Sequence, residues 1–130
     1  MVMNGRALVE SLRSQVQELD VAQLKAIMQQ NPQAIVIDIR EVAETDAGSI
    51  ADTLLIPRGI LEMQINTHKR ITERFSNVEL LAEQPIYLLC RSGARSVLSA
   101  FSLQMMGFKD VYSVAGGFLA WQAAGYDCAN

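Results

Sequence analysis

The chain has 130 residues, half of them hydrophobic and 19% charged, with a formal net charge of −3. That is the length and balance of one soluble globular domain, able to bury about two-thirds of its unfolded surface without a staple. The mild negative balance argues against a broad nucleic-acid or anionic-membrane surface. Two cysteines, Cys90 and Cys128, and one histidine, His68, make no metal-ligand constellation, so neither a metal nor a cofactor is expected.

Residues 1–15 read as a helical N-terminal extension to a single domain. Leu8, Val9, Leu12 and Val16 are spaced for an amphipathic helix over about 6–18. They do not form the unbroken apolar core of a signal peptide, and no run approaches the roughly 18 apolar residues of a membrane span. A reducing cytoplasm is the expected compartment, with Cys90 kept as a free thiol. Asp20 is placed to N-cap a second helix, Val21–Gln30, which Asn31-Pro32 stops. Residues 34–39 form a β-branched run suited to a strand buried on both faces. Short strands follow at 53–56, 86–89 and 111–114. Between the last two, Val97, Leu98, Phe101, Leu103 and Met105 mark a heavily apolar helix over 96–106, ended by Gly107 as a C-cap. Gly116-Gly117 breaks the chain before a last helix over about 118–124. The charged, amphipathic segment from Met63 to Leu81 fits no single period. Strands alternating with helices predict an α/β domain with a mainly parallel sheet and helices on both faces.

In such sheets ligands sit beyond the carboxyl ends of the strands, where Cys90 falls. A lone cysteine ending an apolar strand is by itself an ordinary core residue. The residues after it change that reading. Arg91, Ser92, Gly93, Ala94, Arg95 and Ser96 are poor core filler, and they open a helix whose unpaired N–H groups and dipole favour an anion. Wrapped around the sulfur, the loop amides would form a nest that favours a thiolate and, equally, the charged outer sulfur of a persulfide. Gly93 permits the close backbone approach. Arg91 and Arg95 would add charge for an oxyanion-like donor.

Four blocks resemble the rhodanese family of sulfurtransferases: Ile37-Asp38-Ile39-Arg40-Glu41, Ile56-Pro57-Arg58-Gly59, the loop Cys90 to Ser96, and Gly107-Phe108 through Gly116-Gly117 to Trp121. The resemblance runs from about residue 16 to 126. It implies a rhodanese-like domain with a five-stranded, mainly parallel sheet between helices. It implies that Cys90 accepts a sulfane sulfur from thiosulfate or a persulfide donor and passes it to a thiol or cyanide. Arg91 to Arg95 would be the cradle, with Ser96 beginning the helix behind it. Asp38 and Arg40 match the family's Asp-x-Arg pair, expected as a buried ion pair supporting the site. The chain departs from the family where Gly48-Ser49-Ile50-Ala51-Asp52-Thr53 replaces the frequent Gly-His-Ile-Pro-Gly-Ala.

Arg58, at the end of a strand, fits either the rim of the site or a solvated surface. His68 lies in a polar run and reads as a surface residue rather than a general base. Lys69, Arg70 and Arg74 make a small solvated basic face. Trp121 is expected in the core. Cys128 is either a mobile tail thiol, the favoured reading, or a resolving partner for Cys90. Besides turnover as a sulfurtransferase, the sequence leaves a non-turnover persulfide carrier serving a partner protein, and a cysteine-based phosphatase or arsenate reductase. Against the last, only four residues separate Cys90 from Arg95, where tyrosine-phosphatase-type loops have five. The shorter loop makes a smaller cradle.

Overall fold

The computed structural model describes residues 1–129. Five parallel strands form one sheet in the order β1-β5-β4-β2-β3. They are β1 (Gln17–Leu19), β2 (Ile35–Asp38), β3 (Leu54–Leu55), β4 (Ile86–Leu89) and β5 (Val111–Val114). The central strands read as apolar runs because both of their faces are covered. Ile35, Ile37, Ile86 and Leu88 point to one side with Leu61, Ile71, Leu81 and Leu103. Val36, Tyr87, Leu89 and Val114 point to the other with Leu24, Phe118 and Trp121. This is the α/β architecture expected from the alternation of elements, and Trp121 lies in the core as expected.

Helix α2 (Val21–Gln30) begins where Asp20 predicts. Its carboxylate accepts from Gln23 N at 2.8 Å, and the Gln23 side chain accepts from Asp20 N at 2.9 Å, a reciprocal cap. Helix α7 (Ala94–Met106) ends at Gly107, whose φ of 104° is the left-handed conformation glycine adopts freely. The N-terminal segment differs from the expectation of one helix over 6–18. Helix α1 (Gly5–Arg13) stops at Ser14, and Gln17–Leu19 add the edge strand β1 beside β5. Those three residues have no β-branched member and bury only Leu19. Their strand state comes from pairing with β5, which overrides local preference.

Two further short helices frame the sheet's carboxyl end. Helix α3 (Val42–Asp46) follows β2, and a 3₁₀ turn (Arg58–Ile60) with α4 (Leu61–Gln64) follows β3. The segment that resisted a single period resolves into α4, α5 (Lys69–Thr72) and α6 (Val78–Ala82), each burying one apolar residue, Leu61, Ile71 and Leu81. Helix α8 (Gly117–Ala123) closes the fold on the side of α2.

Candidate functional site

Side chains alternate along β4, so Cys90, the residue after Leu89, continues the row of Ile86 and Leu88 onto the α7 side. It is 1% exposed. The chain then turns through Arg91, Ser92 and Gly93 into α7. Gly93 has φ 96°, and its N–H donates to Cys90 Sγ at 3.1 Å. The first turn of the 13-residue α7 therefore stands directly behind the sulfur. Ser96, on that turn and buried, has Oγ 3.4 Å from Sγ and 2.7 Å from Oγ of buried Ser113 on β5. Ser113 carries no sequence signal of its own. The pairing of Leu88 with Ser113 across β4 and β5 brings it there.

The loop is held from behind by α8. Phe118 N donates to the Cys90 carbonyl at 2.8 Å and Leu119 N to the Arg91 carbonyl at 3.0 Å. Such contact needs backbone against backbone, which explains Gly117. A Cβ on Gly117 would lie 2.5 Å from Cys90 O and 2.6 Å from Arg91 O. A Cβ on Gly93 would lie 3.0 Å from Gly116 N. With these carbonyls fixed outward toward α8, the Gly93 N–H is the loop amide that reaches the sulfur.

The arginines divide into bound and free. Arg40 and Asp38 form the buried ion pair expected of them. Nε to Oδ1 is 3.0 Å and Nη2 to Oδ2 is 2.8 Å, with side chains 4% and 1% exposed. Arg40 Nη2 also donates to Gly48 O at 2.9 Å, and its guanidinium lies 4.1 Å from the centre of the Phe118 ring. It thus ties the departing 48–53 loop and α8 to the end of β2. Arg95 was expected to hold the donor. Its guanidinium makes two hydrogen bonds to Glu44 of α3, at 2.8 and 2.9 Å. The Arg95 hydrogen bond is the main reason the Glu44 carboxyl drops to about 2, against a smaller opposing effect of burial. Arg91, Ser92 and Ala94 are exposed, and Arg91 makes no ion pair among the described residues.

Arg58 is half-buried, and its N–H donates to Ile39 O at 2.9 Å beside the end of β2. Its Nε is buried without a hydrogen-bond partner among the described residues, so it is not a freely solvated arginine. No hydrogen bond joins its side chain to the Cys90 loop. His68 N-caps α5, accepting from Arg70 N at Nδ1, and burial followed by the Arg70 charge pushes its pKa down. Both cysteines are unpaired. Cys128 is exposed, in a tail that is hydrogen-bonded to the rest of the fold on either side of it. Ser49 and Ala129 exchange two backbone hydrogen bonds of 2.7 Å, and Trp121 Nε1 donates to Asp127 O at 2.8 Å.

The sequence carries clear relatives. A sulfurtransferase of Allochromatium vinosum is 27% identical over 110 residues, spanning 85% of this chain and 92% of its own length. A putative sulfur carrier protein of Bacillus subtilis, YrkF, is 28% identical over 108 residues, 83% of this chain, which spans only 52% of that relative. Among solved structures, a Rhodopseudomonas palustris protein described as of unknown function and a possible tyrosine phosphatase superposes with TM-score 0.82 at 26% identity, covering 99% of this chain and 96% of that one. The family description "Rhodanese-like domain" matches residues 20–124, and the chain belongs to that family.

Proposed function

We propose that the chain is a sulfurtransferase that moves a sulfane sulfur through a persulfide on Cys90. The observation that carries this reading is the Gly93 N–H aimed at Cys90 Sγ at 3.1 Å from the head of α7. Donor and helix dipole both favour negative charge on sulfur, first on the thiolate and then on the outer atom of the persulfide. With thiosulfate as donor, the thiolate attacks the outer sulfur. The new S–S bond forms as the old one breaks, and sulfite leaves with the electron pair. A thiol or cyanide acceptor then attacks the outer sulfur and returns the electron pair to Cys90. Arg91 and the loop amides hold the donor; Arg95, held by Glu44, shapes the loop and does not grip the ligand. Family relatives described as a sulfurtransferase and as a sulfur carrier support sulfur transfer as the chemistry.

The sulfur-carrier relative also supports a second reading, in which the persulfide is delivered to a partner protein and free thiosulfate turns over slowly. A phosphatase fits less well. Only four residues separate Cys90 from Arg95, and the Arg95 fork that would grip a phosphate lies on Glu44. Mass spectrometry of the intact chain after thiosulfate treatment tests the proposal. A gain of one sulfur atom, absent in Cys90→Ser, is expected. An unmodified but alkylatable Cys90, or aryl-phosphate hydrolysis lost in Cys90→Ser, overturns it.

A further inference from the structure

Two hydroxyls lie where the packing calls for apolar side chains. Ser113 is fully buried, two residues after Val111 on β5 and so on the same face, which Val111 shares with Ile86, Leu88 and Cys90. Ser96, equally buried, lies in the first turn of α7. A buried hydroxyl costs stability unless it is hydrogen-bonded. A serine inside a helix commonly bonds the carbonyl one turn back, but the Ser96 hydroxyl does not. Among the described residues its partners are Ser113 Oγ at 2.7 Å and Cys90 Sγ at 3.4 Å, and Ser113 Oγ has Ser96 alone. The sulfur is therefore the only outlet for the hydrogen bonds of the pair.

Counting protons shows which state of the sulfur the pair fits. Each hydroxyl has one proton to donate and two lone pairs. With Cys90 a thiol, three protons compete for the two contacts Cys90–Ser96 and Ser96–Ser113, and one is left buried without an acceptor. A thiolate only accepts. Ser96 then turns its proton to the sulfur, Ser113 donates to the Ser96 oxygen, and both contacts are filled with no proton left over. The thiol proton passes to water, and each hydroxyl proton stays on its own oxygen. Hydrogen bonds in such a chain also strengthen one another.

We propose that Ser113 is a positioning residue for the sulfur chemistry, holding the Ser96 hydroxyl with its proton on Cys90 Sγ. The inference rests on the persulfide reading above. The pair acts in the two steps at which Sγ carries charge. In loading, Sγ gives its electron pair to the outer sulfur of the donor; in discharge, the electron pair of the broken S–S bond returns to Sγ.

The test follows alkylation of Cys90 by iodoacetamide against pH in the whole chain, read on the Cys90 peptide so that the exposed Cys128 does not contribute. Ser113→Ala should slow alkylation about two- to fivefold below neutral pH and move the profile to higher pH, with the rates converging at alkaline pH. Ser113→Thr keeps the hydroxyl and should recover most of the rate. Ser99→Ala removes another fully buried hydroxyl of α7, one without a hydrogen-bond partner among the described residues, and should leave the profile in place. The neighbouring charges, among them Arg58, Arg91, Arg95 on Glu44 and Arg40 on Asp38, stay in place in every variant, so a shift reports the hydroxyl. Three results overturn the proposal: a Ser113→Ala profile that superposes on the wild type, one lowered by the same factor at every pH, or a folded Ser113→Thr that loses as much as Ser113→Ala. Alkylation needs no sulfur donor, so a chain that shows the expected profiles but never gains sulfur from thiosulfate overturns the persulfide reading alone.

Discussion

The Arg95 guanidinium meets the Glu44 carboxylate through two side-by-side hydrogen bonds, Nη1 to Oε1 at 2.8 Å and Nη2 to Oε2 at 2.9 Å. The pair joins α3, after β2, to the second residue of α7, so the two elements that flank the Cys90 loop are fastened across 51 residues of chain. Bidentate geometry makes this the strong form of a surface ion pair. It also removes Arg95 from the list of free cations at the site.

The pair makes stability depend on pH in a defined window. Arg95 holds the Glu44 carboxyl at about 2 in the folded chain, against 4.5 unperturbed. A depressed folded value contributes stability that is fully present above about 4.5 and is lost as pH falls toward about 2. Both side chains are roughly a third exposed, so solvent screening reduces the contribution to about 1 kcal/mol. Glu44→Gln should therefore melt below the wild type at neutral pH, and the two curves should converge between pH 4.5 and 2. Thermal melts across that range check it; a constant offset at all pH values would show that the carboxylate is not the source.

Glu44 also shows where sequence reading stops. The Cys90 loop was legible because its features are local: a strand end, a glycine, arginines and a helix start within seven residues. The caps at Asp20 and Gly107 were legible for the same reason. Glu44 meets Arg95 only because α3 and α7 are brought together by the pairing of β2 with β4, which no short window contains. Ser113 reaches Ser96 by the same route through β5. Strand β1 was hidden because Gln17 and Glu18 are polar edge residues, fixed by pairing with Tyr112 and Ser113. Residues 63–81 resisted because three short helices of different spacing cannot show one period.

The Asp38–Arg40 pair should behave as a buried structural pair whose loss is felt in folding before chemistry. Removing the carboxylate in Asp38→Leu leaves Arg40 charged at 4% exposure, and the expected cost is about 3–5 kcal/mol. Replacing both, Asp38→Leu with Arg40→Met, removes the stranded charge and should cost less than the single change. Urea unfolding of the wild type, Asp38→Leu, Arg40→Met and the double variant measures the difference. A double variant as unstable as the sum of its single changes would mean that the Arg40 bonds to Gly48 and Phe118, and not the ion pair, dominate.

Gly117 tests whether α8 sets the loop. Its φ of 56° alone makes any side chain strained, by about 1 kcal/mol. Gly107, with φ 104° and no atom within 4 Å of a Cβ, carries only that backbone cost and serves as the reference. At Gly117 the Cβ would also press on the Cys90 and Arg91 carbonyl groups at 2.5 to 2.6 Å. Those are backbone atoms, so no side-chain rotation relieves the contact. Either α8 withdraws, breaking the Phe118 and Leu119 hydrogen bonds, or the loop shifts and the Gly93 amide leaves Sγ. Gly117→Ala should therefore lose at least about 2 kcal/mol, clearly more than Gly107→Ala. It should also take up sulfur from thiosulfate more slowly at a temperature where both variants are folded. Equal stability and equal loading rates in the two variants would mean that the loop holds the Gly93 amide on the sulfur without α8.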